Sequence, residues 1–145
     1  MLLYAASDHA GFDLRQQLVT RARELGHEVI DLGPESAERV DYPDFGAKLG
    51  REVAAHPGSR GILCCGSGIG IAIAANKIPG VRAATVWDET SARLSRLHND
   101  ANVLSLGERL IGSAVATAIL EVWLSTEFEG GRHQGRVDKL DALPG

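Results

Sequence analysis

The segment Gly61-Ile62-Leu63-Cys64-Cys65-Gly66-Ser67-Gly68-Ile69-Gly70-Ile71-Ala72-Ile73-Ala74-Ala75-Asn76-Lys77 carries three local signals in succession. Gly61 to Cys65 is a short apolar run that does not alternate, the pattern of a strand buried on both faces of a parallel sheet. Glycines at 66, 68 and 70 then permit a sharp turn and let backbone N–H groups converge at a helix start. The small-residue run to Asn76-Lys77 is that helix, and Pro79-Gly80 breaks it. Strand, glycine turn and helix form one unit of an α/β protein.

The same unit repeats in both directions. Upstream, Leu2 to Ala6 reads as a first strand. Leu14, Leu18, Ala22 and Leu25 fall on one helix face, with Gly26 placed to stop the helix. Val29 to Leu32 reads as a second strand. A polar loop runs from Gly33-Pro34 to Asp41-Tyr42-Pro43. Phe45, Leu49 and Val53 mark a second helix, ended by His56-Pro57-Gly58. Downstream, Val81 to Val86 is a fourth strand, Asp88 caps a helix reaching about His98, and Asn102 to Leu106 is a fifth strand. Leu110, Ala114, Ala118 and Val122, with Ile111, Val115 and Ile119, give the last long helix a wide apolar stripe. Five strands alternating with helices predict a parallel five-stranded sheet covered on both faces, a three-layer α/β/α, Rossmann-like arrangement.

Composition bounds the function. The 145 residues fit one domain, 1–145, with 44% hydrophobic and 23% charged residues. Glycine is in excess, at 17 residues, against an average of about 7%. Fifteen Lys+Arg against 19 Asp+Glu give a net charge of −4, which argues against a nucleic-acid partner. No apolar run approaches the roughly 18 residues of a membrane span. Met1 to Ala6 lacks a preceding positive charge and reads as a strand rather than a signal peptide. Cys64 and Cys65 are neighbours that would point to opposite faces of a strand, so no disulfide framework is expected, and a reduced cytoplasmic protein is the default. Phe128 to Val137 is polar, glycine-rich and locally basic. The tail 128–145 must therefore pack along this subunit or another. The surplus width of the last helix's stripe points the same way, to a second subunit across a two-fold axis.

In open α/β sheets ligands bind beyond the carboxyl ends of the strands. Ser7-Asp8-His9, Cys65 to Gly70, Trp87-Asp88 and Gly107-Glu108-Arg109 sit there. The glycine turn makes an anion or oxyanion cradle, although a plain tight turn has the same spelling. It lacks the Gly-Lys-Ser/Thr ending of a nucleotide loop. A thiol at Cys65, facing a helix N-terminus, meets a positive potential that suits a base or nucleophile; Cys64 reads as a small buried hydrophobe. His98 closes a helix, where the dipole favours a cation and thus a proton donor, or a surface cap. Asp8-His9 can hold a sugar hydroxyl or phosphate, or make an ordinary turn. Arg109, Arg132 and Arg136 are candidate phosphate clamps, since guanidinium grips phosphate with two hydrogen bonds. Tyr42 before Pro43 reads first as packing. No Cys/His/carboxylate cluster has metal-ligand spacing, so no metal is expected.

Five segments together carry a resemblance that covers nearly the whole chain. They are Ser7-Asp8-His9-Ala10-Gly11-Phe12, Asp41-Tyr42-Pro43, Cys65 to Lys77, His98-Asn99-Asp100-Ala101-Asn102-Val103 and Glu129-Gly130-Gly131-Arg132-His133. In order and spacing the chain resembles the ribose/galactose sugar-phosphate isomerase family. The resemblance implies an aldose–ketose isomerase of phosphorylated sugars, of the ribose 5-phosphate type, with no cofactor and no metal. It implies that Cys65 is the base that takes the C2 proton and His98 the acid that opens the sugar ring. Ser67 and the backbone of Gly66, Gly68, Ile69 and Gly70 would hold the enediolate. Asp8 and Asn99 match sugar-hydroxyl contacts, His9, Arg109, Arg132 and Arg136 the phosphate site, and Tyr42 a substrate-binding position. One branch of the family uses a glutamate a few residues after the cysteine position; here Ile69 to Ile71 offers no carboxylate. The resemblance also implies a homodimer, in places a homotetramer, with sites at the subunit interface. Two other readings remain: the same chemistry on galactose 6-phosphate or a tetrulose phosphate, and a non-catalytic sugar-phosphate-binding domain.

Overall fold

A computed structural model describes residues 1–144. The elements run β1 (Leu2–Ser7), α1 (Phe12–Glu24), β2 (Glu28–Asp31), α2 (Tyr42–Ala55), β3 (Arg60–Cys65), α3 (Ile69–Asn76), β4 (Ala83–Thr85), α4 (Glu89–Asn99), β5 (Val103–Gly107), α5 (Ser113–Ser125) and α6 (Arg132–Ala142). The five strands form one sheet in the order β2-β1-β3-β5-β4, and every pairing is parallel. β3 is central and buried along its whole length, which is why it reads as an unbroken apolar run.

Alternation along β3 divides the core in two. Ile62 and Cys64 face Leu14, Leu18 and Ala22 of α1, Ala92 of α4 and Ile119, Leu120 and Trp123 of α5. Leu63 and Cys65 face Leu49 and Val53 of α2 and Ile71 and Ala75 of α3. The two cysteines lie on opposite faces and are both free. Each fully buried Leu or Ile contributes about 1.5–3 kcal/mol, so the two layers together hold the sheet.

Three expectations need correction. β4 covers only Ala83–Thr85; Val81 and Val86 are buried at its flanks but pair with no strand register. Leu25 lies past the end of α1 at its C-cap and is 40% exposed. Leu110 and Ile111 precede α5, whose N-cap is Gly112. The wide stripe of α5 is used only in part within the chain: α1 and α4 pack against this helix and Ile119 is buried together with Ala116, Leu120, Trp123 and Leu124, while Ala114 and Val115 stay exposed. Apolar side chains left in water include Val115 on α5 and Leu110 just before it, Ile69 and Ile73 on α3, and Tyr42, Trp87 and Leu94.

α4 begins as the sequence predicts. The Ser91 N–H donates to Asp88 Oδ1 at 2.6 Å, and the Ser91 hydroxyl accepts from the Asp88 N–H. Those bonds hold the Asp88 carboxyl below the ordinary carboxylate range. The tail from Arg132 forms a helix, α6, that docks on α4 of its own chain through buried His133 and Val137.

Candidate active site

The carboxyl ends of β1, β3 and β5 meet at one end of the sheet and tie their loops together. The Asp8 N–H donates to the Cys64 carbonyl, the Glu108 N–H to the Cys65 carbonyl and the Arg109 N–H to the Gly66 carbonyl, at 3.2, 2.9 and 3.0 Å. Asp8, 6% exposed, accepts the Gly11 N–H at 3.0 Å and so shapes the turn into α1. His9 Nδ1 lies 3.1 Å from the Val40 carbonyl oxygen and 3.2 Å from the Val40 nitrogen, which fixes the ring on the β2–α2 loop. The Arg109 side chain lies beside Gly66, where a Cβ would come 3.2 Å from its guanidinium.

The glycine turn is built around the Cys65 sulfur. Gly68 has φ of +75°, and a Cβ there would press within 2.7 Å of the Leu106 carbonyl carbon. Only glycine fits both the angle and the space. In that conformation the Gly68 N–H donates to Cys65 Sγ at 3.1 Å, a donor held against any negative charge on sulfur. The Gly68 carbonyl is anchored by the hydroxyls of Ser105 and Thr85, at 2.6 and 2.8 Å. The Ser67 hydroxyl accepts the Ile69 N–H at 3.1 Å. The cradle therefore already uses two of its donors, Gly68 and Ile69. Among the described residues no turn or side-chain acceptor takes the N–H groups of Gly66, Ser67 and Gly70, so these are the donors open to a ligand. The Tyr42 ring, in the first turn of α2, lies over Gly70 so closely that a Cβ would sit 2.6 Å from it. Asp8, His9, Tyr42, Cys65, Gly66, Ser67, Gly68, Ile69, Gly70 and Arg109 are thus gathered in one place. Burial pushes the Cys64 thiol up, with Cys65 beside it adding to the effect; Cys64 stays a packing residue.

The remaining sequence-predicted residues lie at the other end of the sheet. α4 leaves the carboxyl end of β4 and returns to the amino end of β5, so His98 and Asn99 close it where β5 begins. The five residues of β5, at about 3.3 Å each, span roughly 16 Å. Within one chain, His98 and Cys65 are on opposite ends of the molecule. His98 stacks on His133 of α6, with ring centroids 4.4 Å apart and 18° between planes. Exposed Arg132 is next to His133, and Arg136 follows one turn later on the same side of α6. Their charges and that of His98 hold the His133 ring below the ordinary imidazole range, after burial, which is the main cause. Asn99 faces a different hollow, a cleft of about 450 Å³ shared with Asn76, Arg82 and Leu140.

His133 and Glu129 were not singled out as site residues from sequence. Glu129 and His133 are spaced i, i+4, a spacing the sequence displays, but their approach to His98 depends on α6 docking against α4. Their ligand atoms and that of His98 lie within 4.8 Å of one another, a convergence that sequence spacing does not reveal.

The open parallel sheet, with a thiol and a glycine cradle beyond its central strand, defines a doubly wound α/β protein equipped to bind and transform a small anionic substrate. The chain belongs to the family described as Ribose/Galactose Isomerase, whose sequence profile matches residues 3–140. It is 47% identical to ribose-5-phosphate isomerase B of Escherichia coli K12 over 136 residues, 94% of this chain and 91% of the relative. The solved ribose-5-phosphate isomerase B of Clostridium thermocellum superposes with a TM-score of 0.94 at 48% identity, covering 97% of this chain and 95% of that one. The Mycoplasma genitalium enzyme, solved with bound ribulose-5-phosphate, gives a TM-score of 0.93 at 39% identity, covering 97% and 93%.

Proposed function

We infer that the protein is an aldose–ketose isomerase that interconverts ribose 5-phosphate and ribulose 5-phosphate. The observation that carries this reading is the Cys65 sulfur, fixed by the Gly68 N–H at 3.1 Å in front of a cradle with free donors. A binding domain needs no such base. Family membership and the relatives' printed activity support the substrate class.

The chemistry runs in two stages. His98 gives a proton to the ring oxygen as the C1–O4 bond breaks, and the C1 hydroxyl proton passes to solvent water, from which His98 is reprotonated, yielding the open aldehyde and a C4 hydroxyl. The Cys65 thiolate then removes the C2 proton, and the electron pair moves into an enediolate. The N–H groups of Ser67 and Gly70 stabilise the developing oxyanion, with the Ser67 hydroxyl beside them. One proton passes from O2 to O1, and Cys65 returns its proton to C1, leaving a ketone at C2. Atoms and charge balance with no co-reactant. Asp8 and Asn99 hold sugar hydroxyls, and Tyr42 borders the sugar. His9, Arg109, Arg132 and Arg136 hold the phosphate, a remote group whose binding orients the reacting carbons.

Residues at opposite ends of one chain can serve one site only if a second chain completes it. The reading therefore includes a homodimer in which Cys65 of one protomer meets His98, Arg132 and Arg136 of its partner. The exposed apolar residues Tyr42, Ile69 and Ile73 beside the cradle support an interface there, and the tail 128–145 would line it. Pairs of dimers would form a tetramer. A reducing, cytoplasmic setting suits the free thiols.

The test is turnover of ribose 5-phosphate in a coupled assay, against a panel of four-, five- and six-carbon sugar phosphates. No turnover of any of them would overturn the isomerase reading. Arg132→Ala and Arg136→Ala are expected to raise KM about tenfold each, with kcat changed less, because they hold a group that does not react. Both side chains are exposed and carry no ion pair among the described residues, so folding should be unaffected. Inorganic phosphate should inhibit competitively, and more weakly in both variants. An unchanged KM would remove α6 from the phosphate site.

A further inference from the structure

We propose that His98, Glu129 and His133 form a binding site for a divalent transition-metal ion such as Zn²⁺, and that the bound ion inhibits the enzyme. The inhibitory half rests on the reading of His98 as the ring-opening acid; the site itself does not.

The three side chains are the ligand types of a borderline-soft cation, two imidazoles and one carboxylate. Their ligand atoms lie within 4.8 Å of one another. A tetrahedral Zn²⁺ with bonds near 2.1 Å needs neighbouring ligand atoms about 3.4 Å apart. Closing the difference takes a rotation of Glu129, whose side chain is 54% exposed and free to swing. The two imidazoles are stacked, 18° from parallel. Since each lone pair lies in its ring plane, the half-buried His98 ring must also turn to aim its nitrogen at the ion His133 would share.

A second observation makes this more than a cluster. His133 is 96% buried by its 4% exposure, yet its Nε2 has no hydrogen-bond partner. That nitrogen is directed toward Glu129, whose Oε2 is 3.8 Å away, too long for a hydrogen bond. Leaving a buried polar atom unpaired costs free energy, and a cation between Nε2 and the carboxylate would satisfy both. Three protein ligands leave a fourth position for water. Once its nitrogen is coordinated to metal, His98 has no proton to give to a sugar ring oxygen.

The experiment is equilibrium dialysis of the intact enzyme with Zn²⁺ alone, followed by isomerase assays with and without EDTA. One Zn²⁺ per chain is expected, with affinity reduced at least about 10–100-fold in Glu129→Gln and His133→Gln, since losing a direct ligand costs no less than losing a residue that orients one. Zn²⁺ should lower turnover at least about tenfold, reversed by EDTA, and Glu129→Gln should resist that inhibition. Glu129→Gln is the informative variant, since an exposed isosteric change leaves the fold intact. Cys65→Ser is the control for thiol binding. Equal Zn²⁺ affinity in wild type and Glu129→Gln overturns the site, as does loss of binding in Cys65→Ser alone. Binding at the site without inhibition overturns the inhibitory half and tells against His98 as the acid, while ribose 5-phosphate turnover without Zn²⁺ reports separately on the isomerase reading.

Discussion

Cys65→Ala is expected to lower kcat at least about 10³-fold, within the range of about 10²–10⁴ that a positioned base supplies, while KM for ribose 5-phosphate changes less than about threefold. The sulfur contacts the cradle rather than the groups assigned to phosphate binding, so substrate should still bind. The loss should be chemical and not structural. Removing Sγ frees the Gly68 N–H, but the turn keeps its anchors at Ser105 and Thr85 and its backbone ties to Glu108 and Arg109. Alkylation gives an independent check. Cys64 is fully enclosed and burial pushes its thiol up, so it should stay inert. Cys65, at 4% exposure, is the more accessible thiol, so iodoacetamide should place one label per chain there, slowly, and abolish activity. Bound sugar phosphate should protect. Near-normal turnover of Cys65→Ala would remove the base assignment.

The sequence displays the half of the site built from strand ends. Parallel strands must end at one side of the sheet, so Asp8-His9, Cys65 to Gly70 and Arg109 are brought together by topology alone. The central, doubly buried β3 was recognisable because its run does not alternate. The strand order β2-β1-β3-β5-β4 was not, since each strand's pattern records its burial and not its neighbour. Short edge elements misled for a related reason. β4 keeps three residues because only β5 pairs with it, and periodicity cannot distinguish its buried flanks Val81 and Val86 from paired strand. Part of the α5 stripe meets α1, α4 and the sheet, contacts made by residues far apart in the chain, and Ala114 and Val115 are left exposed. The same distance hides the stack of His98 on His133, which exists only once α6 docks on α4.

Co-refolding of two inactive variants tests the consequence of that separation most sharply. Equal amounts of Cys65→Ala and His98→Asn subunits, unfolded and refolded together, should recover about a quarter of wild-type activity. Random pairing makes half of all two-fold dimers mixed. In each mixed dimer one site combines the intact Cys65 of one protomer with the intact His98 of the other, and the second site carries both lesions. One intact site in four follows. Each variant refolded alone should stay near zero, because every site then has one lesion. The roughly 16 Å of β5 between the two ends of the sheet exceeds the reach of either side chain, so no rearrangement of His98 within one chain substitutes for the partner. If both residues acted from the same chain, every site in the mixture would still hold one lesion and activity would not return. A silent mixture containing mixed dimers, verified by differently tagged subunits, would refute the shared site and leave the isomerase reading to stand on Cys65.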